Sequence, residues 1–174
     1  MVSSAEPLFE RDPEAWHAHL AEGNATQARK RVSADALIRD RAGRVLLVDP
    51  RYKPGWDTPG GMAEANEPPD AAVRREIREE LGLTIHVGPV LVVDWVSPHG
   101  PWDDLLAFVF DGGEIGAEQM LEVRFRDDEI SAYEFCTPEQ AGERLRPHIW
   151  RRLVAALEAL ESRRARYLRD GLAP

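Results

Sequence analysis

A chain of 174 residues has the length expected of one domain, since compact domains commonly hold roughly 100–200 residues. Its 22 basic and 31 acidic residues give a net charge of −9, which argues against nucleic acid or an anionic membrane as a partner, because both attract positive charge. No apolar run approaches the roughly 18 residues that span a bilayer, and the N-terminus lacks the basic start of a signal peptide. Cys136 stands alone, which excludes an internal disulfide and favours a reducing cytoplasm.

The first half of the chain predicts a helix, a hairpin and a second helix. Residues 1–30 form an N-terminal extension that we expect to be helical from Asp12 to Glu22, because Asp12 and Pro13 are typical of a helix start. Two mainly apolar segments, residues 34–38 and 45–48, flank a turn and predict a β-hairpin. After a loop rich in Pro and Gly, a helix is predicted from Pro69 to Leu81.

The second half predicts more strands and two closing helices. The strands are expected over residues 87–96, 105–110, 120–125 and 130–135. Thr137 opens a short helix, and Pro147 opens a longer one that reaches about Leu168. This order predicts an α/β fold with a mixed sheet between helices, in a single domain over residues 31–162, with a helix end and tail over residues 163–174.

Three carboxylates crowd one side of the helix predicted over residues 69–81. At about 100° per residue, Glu76, Glu79 and Glu80 share an arc of roughly 100° at the edge of the apolar stripe. Such crowding is unfavourable unless cations neutralise it. Carboxylate oxygens are ligands that Mg²⁺ and Mn²⁺ prefer, so the helix indicates a metal site. A solvated Glu-rich face is the alternative for any such helix taken alone.

The segment from Gly61 to Leu83 resembles the Nudix box, whose pattern is G-x5-E-x7-R-E-U-x-E-E-x-G-U, with U a bulky aliphatic residue. The matching positions are Gly61, Glu67, Arg75, Glu76, Ile77, Glu79, Glu80, Gly82 and Leu83. The match has no gap and no departure. The resemblance implies a Nudix-type α/β/α sandwich that hydrolyses a phosphoanhydride bond with divalent metal ions, Mg²⁺ first and Mn²⁺ as an alternative.

The resemblance also implies roles for box residues. Glu76, Glu79 and Glu80 correspond to metal ligands, and the Gly61 carbonyl is a candidate for a further one. Arg75 corresponds to the arginine that orients a glutamate. Either Glu79 or Glu80 is the candidate that activates the attacking water.

Acidic residues in two segments outside the helix add to this expectation. Many family members take an acid or base from outside the box, and Glu129 is the first choice here, with Asp128 and Asp127 behind it. A solvated acidic turn is the alternative at Glu129. Glu67 either anchors the loop before the helix or holds a second metal.

Two loops are candidates for binding the substrate. Arg51 and Lys53 precede the box and would contact phosphate, while Trp56 either stacks on a base or packs the loop, with packing favoured. His99 and Trp102 flank a loop suited to a pocket rim, where an aromatic ring stacks a nucleobase. Surface exposure is the alternative for His99.

The predicted substrate is a small nucleoside-diphosphate-linked molecule. ADP-ribose, a nucleotide sugar, a dinucleoside polyphosphate and a (deoxy)nucleoside triphosphate all stay open, because specificity lies in loops outside the box. A Nudix domain that only binds a nucleotide ligand is the alternative function, although the complete box argues against it. Removal of an mRNA cap would need a basic RNA track, which a net charge of −9 disfavours. The apolar stripe of the last helix also leaves a homodimer open.

Overall fold

The computed structural model describes residues 6–125 and 129–174. In this part of the chain, a mixed seven-stranded sheet lies between helices on both of its faces. The helices are α1 (Leu8–Arg11), α2 (Pro13–Thr26), α3 (Pro69–Leu81), α4 (Ala117–Met120), α5 (Pro138–Arg144) and α6 (Pro147–Ser162). The strands are β1 (Arg31–Arg39), β2 (Val45–Pro50), β3 (Gly60–Met62), β4 (Val90–Val96), β5 (Leu105–Glu114), β6 (Ile130–Cys136) and β7 (Arg166–Arg169).

The strand order of the sheet is β6-β2-β1-β5-β4-β7, and β3 also pairs with β1. The central strand β1 is parallel to β5 and antiparallel to β2 and β3, while β4 is antiparallel to β5 and parallel to β7. The predicted α/β class, with a mixed sheet between two helical layers, is confirmed.

Alternation along β1 divides the core into two layers. Ala36 and Ile38 are fully buried on the side of α3, whereas Leu37 is fully buried on the side of α5 and α6. Successive side chains of a strand point to opposite faces, so Asp35 belongs to the same face as Leu37. A charged residue of the central strand is thereby placed on the face that α6 covers.

Most of the predicted elements are confirmed close to their expected bounds. Helix α2 starts after Asp12, whose side chain accepts a hydrogen bond from the Ala15 N–H at 3.0 Å. Helix α3 spans Pro69–Leu81 as predicted, and Gly82 ends it in a left-handed conformation. Neither α1 nor α2 contains a buried residue. Within the described residues, no helix is both long and apolar enough to cross a membrane.

The strand predicted over residues 120–125 is wrong. Helix α4 ends at Met120, and the backbone then turns, with the Glu122 N–H bonded to the Gln119 carbonyl at 3.0 Å. The Arg124 N–H donates to the Leu81 carbonyl at 2.9 Å and so satisfies an acceptor at the end of α3. The segment therefore caps the box helix instead of joining the sheet.

The prediction that the last helix reaches Leu168 is also wrong. Helix α6 ends at Ser162, and Arg163 adopts a left-handed conformation with φ 55°. Residues 166–169 then form β7, which pairs with residues 92–95 of β4. The edge of β4 would otherwise have unpaired backbone groups. Pairing with this edge stabilises residues 166–169 as a strand more than their helical preference stabilises a continued helix.

Candidate active site

An open cleft of about 510 Å³ lies between the box segment and the start of α6. This volume is within the range of small-molecule sites. The predicted site residues that line it are Lys53, Gly61, Glu76, Glu80, His99, Trp102 and Glu129. The structure therefore brings most of the predicted metal and substrate residues to one place.

Arg75 organises the carboxylates on the box side of the cleft. Its Nε and Nη2 donate to the two carboxylate oxygens of Glu67 at 2.9 and 2.8 Å. Its Nη1 donates to Glu76 and Glu79, each at 3.0 Å, so Arg75 pairs with two glutamates of α3. Nη2 also donates to the Met62 carbonyl at 3.0 Å. One guanidinium thus fixes two helical glutamates and the loop before the helix.

Glu67 acts as the anchor of that loop. Besides the two bonds from Arg75, its carboxylate accepts a 2.8 Å hydrogen bond from the Glu64 N–H. The hydrogen bonds from Arg75, followed by that from Glu64, lower the pKa of Glu67 to about 2. The carboxylate stays ionised at neutral pH, and its hydrogen bonds join the loop to α3.

Glu76 lies in an environment of excess negative charge. Burial is the largest cause that raises the pKa of its carboxyl, and Glu79 and Glu129 add repulsion. Arg75 opposes these effects but does not cancel them. A cation beside Glu76 would remove this unfavourable charge.

The glycines of the loop allow the backbone to approach these carboxylates. A Cβ atom at Gly61 would lie 2.5 Å from the carboxyl carbon of Glu76. The Gly60 N–H donates to Glu80 Oε2 at 3.3 Å. Any larger residue at position 61 would displace Glu76, so the close approach requires glycine.

The donor set fits a divalent cation in chemical type. Glu76, Glu80 and Glu129 line the cleft, and their carboxylate oxygens are the atoms that Mg²⁺ prefers. Glu79 is turned toward Arg75, and its side chain is 50% exposed. Among residues 6–125 and 129–174, no three acidic, His or Cys side chains are gathered tightly enough to hold a metal ion in these rotamers. The candidates Asp127 and Asp128 lie outside the described residues.

The rim of the cleft carries an aromatic ring. His99 and Trp102 exchange two backbone hydrogen bonds of 3.0 Å, which closes a tight turn. The Trp102 side chain is exposed, and the Arg31 guanidinium lies 4.5 Å from its ring centroid. A guanidinium over an indole face is a favourable cation–π contact, so Arg31 holds the ring in place.

Two predicted substrate residues are placed elsewhere. Trp56 is half-buried against the core on the α6 side, and the Arg144 guanidinium lies 5.0 Å from its ring centroid. Arg51 is exposed, and its backbone N–H donates to the Glu129 carbonyl at 2.7 Å. Neither residue lines the cleft, although Lys53, from the same loop, does.

The sequence patterns did not predict the opposite wall of the cleft, on the α6 side, to which Asp57, Arg146 and Arg152 contribute. Asp35 lies between this wall and the box segment, beside Gly60. Asp57 lies 2.7 Å from Lys53 Nζ and 3.4 Å from the Arg146 guanidinium. Burial, and then the charge of Asp57, raise the pKa of Asp35 to about 7, while Arg152 and Lys53 act in the other direction. The wall is thus a mixed array of acids and bases.

A signal in the sequence marks part of this wall. Asp35 interrupts the apolar run over residues 34–38, and Asp94 interrupts the apolar strand over residues 90–96. Carboxylates are seldom buried unless they are paired. Their positions predict partners, but the sequence does not say which basic residue supplies the pairing.

Comparison with known proteins agrees with this geometry. The model of the NUDIX domain family matches residues 29–157. A MutT-like protein of Streptomyces ambofaciens is 28% identical over 127 residues, which cover 73% of this chain and 77% of that protein. Diphosphoinositol polyphosphate phosphohydrolase 3-alpha of Mus musculus is 39% identical over 66 residues, covering 37% of this chain and 40% of that protein.

A solved structure, the MutT NUDIX hydrolase of Burkholderia pseudomallei, superposes with a TM-score of 0.60 at 26% identity. The match covers 75% of this chain and 98% of the solved one. The family model spans most of the chain, and its range includes the box, the Arg75 network and the cleft wall at Arg152. The chain therefore belongs to the Nudix family and is a pyrophosphohydrolase of the Nudix type.

Proposed function

We propose that the chain hydrolyses a phosphoanhydride bond in a nucleoside-diphosphate-linked substrate with the help of Mg²⁺, or of Mn²⁺ in its place. The observation that carries this proposal is the Arg75 network, which holds Glu76 over Gly61 at the edge of a cleft large enough for a nucleotide. ADP-ribose-like molecules, nucleotide sugars and (deoxy)nucleoside triphosphates are the candidate substrates. A cytoplasmic location and a homodimer stay predictions.

The metal ions would be held by Glu76, Glu80 and the Gly61 carbonyl, with Glu79 and Glu129 as further carboxylates. Bound divalent ions offset the charge of the phosphates and lower the pKa of water. Glu80 lies in the cleft, whereas Glu79 is engaged by Arg75. We therefore assign the removal of the proton from the attacking water to Glu80, and the orientation of Glu76 and Glu79 to Arg75.

The other residues of the cleft suit a nucleotide. Trp102, fixed by Arg31, offers an exposed ring for a nucleobase, with His99 beside it on the same turn. Lys53 supplies a positive charge for a phosphate, and Asp57 keeps that side chain in position. These assignments extend the proposal to the substrate side.

The direct test incubates the full chain with a panel of substrates, with Mg²⁺ and with a chelator, and separates the products by chromatography. The panel contains nucleoside triphosphates, nucleotide sugars, ADP-ribose and a diphosphoinositol polyphosphate. We expect a nucleotide to be cut at a phosphoanhydride bond only when the metal is present. Preference for the diphosphoinositol polyphosphate would contradict the nucleotide assignment. No cleavage of any panel member, together with no Mg²⁺ binding in calorimetry, would contradict the proposed metal-dependent activity.

Variants of the box test the assignment of the carboxylates. Glu80→Gln and Glu79→Gln are each expected to lower turnover by roughly 100-fold or more, because each removes one charge from the metal site. Glu64→Gln, an exposed residue of the same segment, is the control and should retain wild-type turnover. Full activity in either of the first two variants would show that the metal site lies elsewhere.

A further inference from the structure

A buried ion pair fixes Arg152, a residue of α6 that lines the cleft. Arg152 Nε and Nη2 donate to the same oxygen, Asp94 Oδ2, at 3.0 and 2.9 Å. The Asp94 side chain is fully buried and that of Arg152 is 9% exposed. The Gly171 N–H donates to the other oxygen, Asp94 Oδ1, at 3.1 Å. Asp94 therefore fixes two nitrogens of the guanidinium. The turn over residues 169–172, the C-terminal turn, fixes Asp94 through the Gly171 N–H.

One end of the guanidinium is not engaged by Asp94. Arg152 Nη1 lies 4.0 Å from Asp35 Oδ2, which is beyond hydrogen-bond length, and both residues line the cleft. A guanidinium is a rigid planar fork with five N–H donors. Because Nε and Nη2 are fixed on Asp94, Nη1 is presented toward the cleft in a defined orientation.

Stability alone is a weak reason for this pair. Removing two charges from water costs so much that apolar residues in place of a buried ion pair are often neutral or stabilising. Arg152 lines the cleft together with Lys53 and Arg146, and the acidic residues Asp35 and Asp57 lie among these cations. Three cations in a cleft that also holds the box carboxylates suit an anion that binds together with divalent cations.

The C-terminal turn is itself fixed by hydrogen bonds from Ser97, which follows β4, and from Arg151 on α6. Asp170 Oδ1 accepts hydrogen bonds from the Ser97 N–H and hydroxyl at 2.8 and 2.9 Å, and the Asp170 carbonyl accepts one from Arg151 at 3.0 Å. Gly171 has φ +75°, and a Cβ there would lie 3.0 Å from the His148 carbonyl. The turn is therefore packed tightly between β4 and α6, and a side chain at Gly171 would be strained both by the backbone conformation and by the close carbonyl.

We propose that Arg152 binds an anionic oxygen of the substrate diphosphate through Nη1, with Asp94 and Gly171 as positioning residues that orient its guanidinium. This inference rests on the proposed function, because it takes a diphosphate as the ligand. It gives the last strand and turn of the chain a role in substrate affinity.

The test measures binding of imidodiphosphate, a diphosphate that resists hydrolysis, to the full chain by calorimetry in the presence of Mg²⁺. The double variant Asp94→Asn with Arg152→Gln removes both charges and keeps polar groups of similar size, so that no single buried charge is left. Its affinity is expected to fall about tenfold or more, since a charge-assisted hydrogen bond is lost. Arg152→Lys keeps the charge without the fork and should give an intermediate affinity.

Arg164→Gln, an exposed arginine beyond α6, is the matched control and should bind like the wild type. Circular dichroism and thermal unfolding establish that each variant is folded. Binding by the double variant within about twofold of the wild type, which corresponds to less than one such hydrogen bond, would overturn the inference. Failure of the wild-type chain to bind imidodiphosphate at millimolar concentration would also overturn it.

The positioning role has its own comparison. Gly171→Ala is expected to weaken imidodiphosphate binding more than Leu91→Ala does. The Leu91 variant removes a buried side chain from β4, the strand that carries Asp94, and serves as a control for lost packing. Equal affinities at matched thermal stability would remove the positioning role. Binding that depends on Arg152, in a chain that cleaves no panel substrate and binds no Mg²⁺, would keep this inference and contradict the proposed metal-dependent activity. Cleavage that needs Glu80 but not Arg152 would do the reverse.

Discussion

The two walls of the cleft are built in different ways. On the box side, Arg75 binds partners at most 13 positions away in the chain, from Met62 to Glu79. On the opposite side, Arg152 is 58 positions from Asp94, and Gly171 is 77 positions from it. One wall is a local structure of a loop and a helix, whereas the other exists only after β4, α6 and the C-terminal turn have come together.

This difference predicts different consequences of damage. The box network is only partly buried, and its main function is to orient carboxylates, so its loss should lower activity more than stability. The opposite wall contains a dehydrated ion pair, so its disruption should affect both stability and binding.

The largest effect is expected when Arg152 alone is replaced. Arg152→Met leaves Asp94 buried without a counter-charge, and the free energy of unfolding should fall by about 3–5 kcal/mol. Urea unfolding of the purified chain measures this change. The double variant Asp94→Asn with Arg152→Gln is the control and should recover most of the loss. If the free energy of unfolding of Arg152→Met fell by no more than about 0.5 kcal/mol, the change typical of a surface substitution, the pair would not be a desolvated ion pair.

The next effect tests the box wall. Arg75→Met should lower kcat by roughly 10–100-fold, because Glu76 and Glu79 lose the group that orients them. The neighbouring Arg74, which pairs with the exposed Asp70, provides a matched control. Arg74→Met should keep kcat close to the wild-type value in the same assay. Equal losses in the two variants would mean that helix charge, and not orientation, accounts for the effect.

A smaller effect concerns pH. Hydrogen bonds from Arg75 lower the pKa of Glu67 to about 2, against an ordinary value of 4.5. A depressed carboxyl pKa stabilises the fold above pH 4.5, and this stabilisation is lost as the pH falls toward 2. The free energy of unfolding of the wild type should therefore decrease more steeply over this interval than that of Glu67→Gln. Glu64→Gln should keep the wild-type slope, and identical slopes for all three proteins would contradict the contribution of Glu67.

The smallest effect is expected at Trp56. Its ring packs against the core beside Arg144, so Trp56→Phe should change KM by less than about twofold in the hydrolysis assay, since aromatic core exchanges preserve most of the packing. Trp102→Ala provides the contrast, because it removes an exposed ring at the cleft rim and should raise KM for a nucleotide. A larger increase in KM for Trp56→Phe than for Trp102→Ala would restore Trp56 as a substrate residue.

The box side of the site follows from local sequence patterns. Helical geometry sets the relative positions of Arg75, Glu76, Glu79 and Glu80 whatever surrounds them, and the Pro and Gly signals fixed the bounds of α3. Two short apolar segments on either side of a turn predicted the hairpin of β1 and β2 for the same reason, because strand composition and turn chemistry are local properties. These features needed no knowledge of distant parts of the chain.

Tertiary structure alone decided the opposite side. Residues 166–169 form a strand because the edge of β4 is available for pairing. Residues 120–125 lie outside the sheet, where the Arg124 N–H caps the end of α3. The orientation of Asp35 and Asp94 toward Arg152 depends on which sheet face α6 covers, and that is settled by the packing of the whole core. These contacts join residues far apart in the sequence, so a local sequence pattern does not predict them.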